Sequence, residues 1–420
     1  NTNFYMAPDK AYGSPTDYKD FIDECHRNGI AVILDIVFNQ SDGLHPWYQM
    51  YPIKQNPFYN ETAPHQYSVL NDWNQGYPLV DRQWDDAVRY WMEKYNVDGF
   101  RFDLMAIHDI ETMDSVAAAL KEINPSIFVY GEGWTAGDSP LPVERRALKE
   151  NVAKMEGIAV FSDDIRDAVK GHYSNAADRG FATGKPGNEE TVKIGIVAST
   201  AHPQVDYSKG NNSKFAYASA PTQIINYVSC HDDLTLTDKL AKSMPGSTEA
   251  DRQRAARLAQ TIVFTSQGTP FMFAGEEVFR NKKGVHNSYK SPDSVNAIDW
   301  TLKDTNREQF DYYRELIKLR KAHPAFRMTT ADAIARHIKF DKTDRDNLIS
   351  YSIKDNANGD EWKEIKLVFN GSGQPEEVKI AKGDWIAIAR DGKINADGMG
   401  DFKGGKITVE PTSALILARK

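Results

Sequence analysis

The chain has 420 residues, 40% of them hydrophobic and 26% charged, the balance of a globular protein and not of a disordered one. Its formal net charge is −8 with Lys and Arg dispersed along it, so nucleic acid would meet net repulsion and no basic stripe. No apolar run approaches the roughly 18 residues of a membrane span, and Cys25 and Cys230 lack the spacing of a disulfide framework or a zinc site.

At this length the starting expectation is two domains, a large α/β barrel with a smaller one appended. The chain opens NTNFYMAP, without an initiator Met or a visible signal peptide. That reads as a piece cut from something longer, and a secreted, periplasmic or cell-surface setting is favoured over the cytoplasm.

In chain order, the helical pattern PTDYKDFIDECHRNG leads into the apolar run GIAVILDIVFN, and an excursion rich in Pro, Asn and aromatics fills 40–79. The helical LVDRQWDDAVRYWMEKY then precedes the strand-like VDGFRFD, and ETMDSVAAALKEI precedes SIFVYGEGW. GIAVFSDD follows, then a Gly-rich excursion over 171–215, then IINYVSCHDD, EADRQRAARLAQTIVFT, TPFMFAGEE and REQFDYYRELIKLRKAH. Six β-branched runs alternating with helical patterns predict parallel βα units. From about residue 330 the text changes to short alternating runs with turn signals, NLISYSIK, EIKLVFNGS, DWIAIARDG and KITVEPTSALILARK, which predict a small antiparallel β domain.

Three of the apolar runs end in acid: Asp103 after GFRF, Glu132 in VYGEGW and Asp232 in SCHDD. Strand-end acids also serve as caps of the helix that follows. In a barrel of parallel strands, however, acids at the carboxyl ends converge on one pocket from distant positions. Two carboxylates about 5 Å apart hydrolyse a glycosidic bond with retention, one as nucleophile and one as acid/base, and a third stabilises the distorted sugar. Arg101 lies two positions before Asp103 and so on the same strand face, where its charge favours the ionised nucleophile. Glu132 lies among Gly and aromatic residues, where partial desolvation favours the proton-donating form.

The segments DIVFNQ (35–40), GFRFD (99–103), YGEGW (130–134) and YVSCHDD (227–233) resemble, in order and spacing, the four signature regions of the α-amylase family of glycoside hydrolases. YGEGW, with GHYSNAADRGFATG downstream, looks most like the type I pullulanases, its debranching members. The resemblance implies a (β/α)8 TIM barrel over 1–329, its first strands upstream of this chain, followed by a C-terminal antiparallel β-sandwich over 330–420. It makes Asp103 the nucleophile, Glu132 the acid/base and Asp232 the transition-state stabiliser, with Arg101 and His231 as polar partners. Asp35 and Asn39 organise the pocket floor, Tyr5 stacks on the sugar before the cleaved bond, and Trp134 stands at the pocket rim.

Two positions depart from the family pattern: Gln40 replaces a usual His, and Asp233 a usual Asn. Gln40 still bonds a sugar hydroxyl but carries no charge. Asp233 adds negative charge beside Asp232, which raises an acid's pKa where two such side chains are close. Trp47, Tyr48, Tyr51, Tyr59, Tyr67 and Trp73 crowd the first excursion, most of them read as packing. Many family members bind calcium near that excursion, but no clustered D-x-D-x-D loop is present, so no cofactor is required and calcium is an optional ligand.

The expected function is a retaining hydrolase of α-1,6 branch linkages in pullulan, starch or glycogen-type α-glucans, acting through a covalent glycosyl-enzyme. The alternatives are an α-1,4-acting amylase or neopullulanase, and a non-catalytic amylase-like carbohydrate binder. The expected partners are the α-glucan and an upstream segment that completes the barrel, with no nucleic acid and no membrane span.

Overall fold

The computed structural model describes residues 2–61, 71–73, 78–135 and 137–420. The chain divides into two compact units, Asn1–Phe161 and Ser162–Lys420. The first carries four parallel strands in the order Ile33–Ile36, Gly99–Phe102, Phe128–Gly131 and Ile158–Ser162. The strand Gly99–Phe102 reads as a continuous buried run, as a parallel strand covered on both faces should. Phe100 and Phe102 are fully buried, and Phe102 meets the edge of Phe38.

Helices Pro15–Arg27, Pro78–Tyr95 and Ile110–Ile123 accompany these strands. The first begins where expected for physical reasons: Ser14 and Asp17 form a reciprocal capping box, with Pro at the first turn. All six apolar runs read as strands from the sequence are strands, and all five helical patterns are helices.

In the second unit, Ile224–Asn226 pairs in parallel with Thr269–Pro270, and helices Glu249–Thr265 and Arg307–Ala322 lie beside them in sequence. Three further helices of eight residues, Asp163–Lys170, Glu189–Ile196 and Leu236–Ser243, were not apparent in the sequence. The C-terminal part is a seven-stranded antiparallel sheet whose strand Ser413–Arg419 lies inside it, flanked by Glu364–Asn370 and Trp385–Arg390. A two-stranded ribbon of Glu376–Ile380 and Gly405–Val409 packs on it.

Alternation along Ser413–Arg419 separates its two faces. Ala414, Ile416 and Ala418 join the main core with Leu258, Ile262, Leu316 and Leu319 of the two long helices. Leu415 and Leu417 point the other way, to Trp385, Ile380, Ile407 and Val409 under the ribbon. Among the described residues no helix is long and apolar enough to cross a membrane.

Candidate active site

Arg101 organises the first group of charged side chains. The sheet register sets Asp35 and Tyr130 on either side of it, so Asp103 and Glu132, each two residues further on, follow along the same strand ends. Its Nη1 donates to Asp35 Oδ1 and to Asp103 Oδ1, each at 2.9 Å, and its Nη2 pairs with Glu132 Oε1. Burial works against the charge of Arg101, but the carboxylates of Glu132, Asp35 and Asp103 outweigh it and hold the guanidinium above its usual range.

Glu132 is buried, and its second oxygen accepts from the Leu104 backbone N–H at 3.0 Å. Leu104 reaches that position in the left-handed region, at φ 42°, a conformation unusual for Leu. Glu132 was expected among groups favouring its neutral form. Its neighbours include a cation and an N–H donor, which both complement the carboxylate.

The glycines around Glu132 answer to space. A Cβ on Gly133 would lie 2.5 Å from the Lys149 backbone nitrogen, and one on Gly131 would lie 2.7 Å from the Phe102 carbonyl oxygen. The YGEGW text therefore lets two neighbouring segments close tightly on the acid.

Asn39 is fully buried, and its Oδ1 accepts from the Gln40 backbone N–H at 3.1 Å. Tyr5 donates its hydroxyl to the Gln40 carbonyl at 2.8 Å and accepts from Trp73 Nε1 at 3.1 Å. Its ring meets Phe38, His45 and Trp73 edge-on, so Tyr5 sits largely within an aromatic cluster, and burial pushes its hydroxyl far above the usual range. His45, unremarked in the sequence, belongs to this cluster, and burial pushes its imidazole down to about 4. Most excursion aromatics pack together: Trp47 stacks on Phe58, Tyr59 on Trp73, and Tyr48 and Tyr51 join them. Tyr67 lies outside the described residues. Trp134 is half-buried on the loop after Phe128–Gly131.

The second unit holds the other motif. His231 Nε2 lies 3.7 Å from Asp232 Oδ2, both side chains about half exposed. Asp233 pairs with His286 at 3.2 Å. His286 lies far downstream in a loop, and no motif marks it. Among the described residues no group of three or more His, Cys, Asp or Glu side chains is placed to hold a metal ion.

Residues 334–393 match the family model described as "Pullulanase, all-beta domain". The pullulanase of Bacillus subtilis strain 168 is 36% identical over 401 residues, covering 90% of this chain and 53% of that protein. The chain is a homologue of the pullulanases, within the α-amylase family. The solved type I pullulanase of Bacillus subtilis in complex with maltose matches all of this chain at a TM-score of 0.88 and 32% identity, over 59% of its own length. The pullulanase of Paenibacillus barengoltzii in complex with maltohexaose and α-cyclodextrin matches 96% of this chain at a TM-score of 0.83 and 33% identity, over 61% of its length. This pullulanase homologue thus spans about half to three fifths of the length of these relatives, and the family resemblance read from its motifs is sound.

Proposed function

We propose that the chain carries the catalytic machinery of a retaining glycoside hydrolase that cleaves α-1,6-glucosidic branch linkages in α-glucans. The observation that carries this reading is the single guanidinium of Arg101 shared by Asp35, Asp103 and Glu132 at adjacent strand ends. Asp103, held by a hydrogen bond from that cation, attacks the anomeric carbon while Glu132 protonates the departing glycosidic oxygen. Water then hydrolyses the glycosyl–Asp103 ester, with Glu132 taking its proton. Asp232 takes the stabilising role, His231 and Trp134 bind sugar, and the buried Tyr5, Asn39 and Gln40 shape the pocket floor.

Because Arg101 complements the carboxylate, Glu132 must exchange that cation for the glycosidic oxygen when it carries its proton. Calcium, as an optional ligand, enters none of these steps. The solved relatives named above bind maltose and maltohexaose, which supports a malto-oligosaccharide ligand here.

The same reading includes further polypeptide. The strand Ile33–Ile36 ends its sheet, and a groove of about 1230 Å³ lies beside it, lined by Phe4, Tyr12, Tyr18, Phe21, Ile30 and Trp91 among others. An apolar sheet edge of this kind accepts another strand. An upstream segment supplying it is therefore part of the proposed active form.

Product analysis on pullulan tests the reading. Maltotriose as the product is expected, with Trp134→Ala weakening that cleavage strongly. Panose, or rapid cleavage of amylose with pullulan untouched, supports α-1,4 action instead, and binding without any cleavage supports the non-catalytic alternative.

A further inference from the structure

Asp233 occupies the turn after Ile224–Asn226 at φ 63°, in the left-handed region that Asp and Asn tolerate better than other side chains. The segment 280–286 lies against this turn and the helix after it. The backbone N–H groups of Lys282 and Gly284 donate to the two carboxylate oxygens of Asp238, at 2.7 and 2.8 Å. The Lys282 ammonium donates to the His231 carbonyl at 2.9 Å. The fourth contact, His286 Nε2 to Asp233 Oδ1 at 3.2 Å, fastens the far end of the segment.

The charge on Asp233 is met from two elements. Lys170 and Arg166 face it from the helix Asp163–Lys170 and His286 from the segment, while Asp232 beside it is the opposing charge. Burial raises the pKa of Asp233, and Lys170, His286 and Arg166 work against that rise. An Asn would adopt the same turn but would hold His286 without charge assistance.

We propose that Asp233 and His286 form a positioning pair, whose bond fastens the segment 280–286 to the turn carrying Asp232 and thereby fixes the Asp232 carboxylate for reaction. The inference rests on the stabilising role given to Asp232 above. Neither residue of the pair touches the sugar in this account; both act through Asp232.

The test combines hydrogen exchange with kinetics on Asp233→Asn, His286→Ala, His286→Gln and the double variant Asp233→Asn/His286→Ala. Exchange over 280–286 is expected to quicken about fivefold in Asp233→Asn and in His286→Ala, the scale of one ordinary hydrogen bond, with no further gain in the double variant. Exchange in the helix Glu249–Thr265 should not change. The kcat on pullulan is expected to fall by a similar factor of about five with KM nearly constant, and His286→Gln, which keeps a donor, should recover part of it. Unchanged exchange in the single variants, effects that multiply in the double, or faster exchange with unchanged kcat would each overturn the proposal. A wild-type chain inactive on pullulan but active on linear glucan overturns the α-1,6 reading alone; kcat is then read on that glucan, and the same outcomes decide the pair.

Discussion

Arg101 meets Glu132 through one terminal nitrogen and serves Asp35 and Asp103 through the other, so one buried cation answers three carboxylates. Removing it takes from the buried Glu132 the cation that pairs with its Oε1. Arg101→Met is expected to destabilise the protein by about 3 kcal/mol, the usual cost of breaking a buried pair from one side. Urea unfolding measures this, and a midpoint equal to wild type would mean that the shared cation contributes little.

Glu132→Gln and Asp103→Asn keep the shape of each side chain while removing the proton donor or the nucleophile. Turnover on pullulan is expected to fall about a thousandfold or more in each, with the far-ultraviolet circular dichroism unchanged. Either variant turning over near the wild-type rate would remove that residue from its proposed role.

Gly133→Ala places a methyl group 2.5 Å from the Lys149 backbone nitrogen. Backbone cannot step aside as a flexible side chain does, so the loop bearing Glu132 has to shift. A loss of about 1–3 kcal/mol in stability is expected, together with a lower kcat. A variant as stable and as active as the parent would show that the segment has slack.

The buried pair Glu276 and Lys170 sets an expected pH dependence of stability. Burial pushes the Glu276 carboxyl up to about 8 and the Lys170 ammonium down to about 8. For Glu276 the folded state binds its proton more tightly than the unfolded chain, so its contribution is full below the ordinary carboxyl pKa and is lost as pH rises through about 8. For Lys170 the contribution is full above the ordinary lysine pKa and is lost as pH falls through about 8. Their combined contribution should therefore be smallest near pH 8. Glu276→Gln removes the falling limb, whose slope is at most about 1.4 kcal/mol per pH unit. Urea midpoints measured from about pH 5 to about pH 8 that run parallel in the two proteins would contradict this.

Legibility in the sequence followed the length and regularity of each pattern. Strands such as Gly99–Phe102 and helices such as Glu249–Thr265 declare themselves by a sustained apolar period and a cap. The helix Asp163–Lys170 spans only eight residues and follows an apolar strand without a break, so no window isolates it. The ribbon strand Glu376–Ile380 is written EEVKI, with few apolar positions to betray it. At the site, the pairing of Arg101 with Asp103 follows from a spacing of two along one strand, whereas its pairing with Glu132 depends on the register of a neighbouring strand. The partner of Asp233 comes from a loop with no motif, and proximity of that kind has no trace in local text.

The position of Ser413–Arg419 has a consequence for how the polypeptide is made. Of the strands in its sheet it emerges last from the ribosome, yet it lies between Glu364–Asn370 and Trp385–Arg390. Those two neighbours wait through translation with their facing backbone groups unbridged. The sheet closes only when the final strand takes its place between them, joining its two halves.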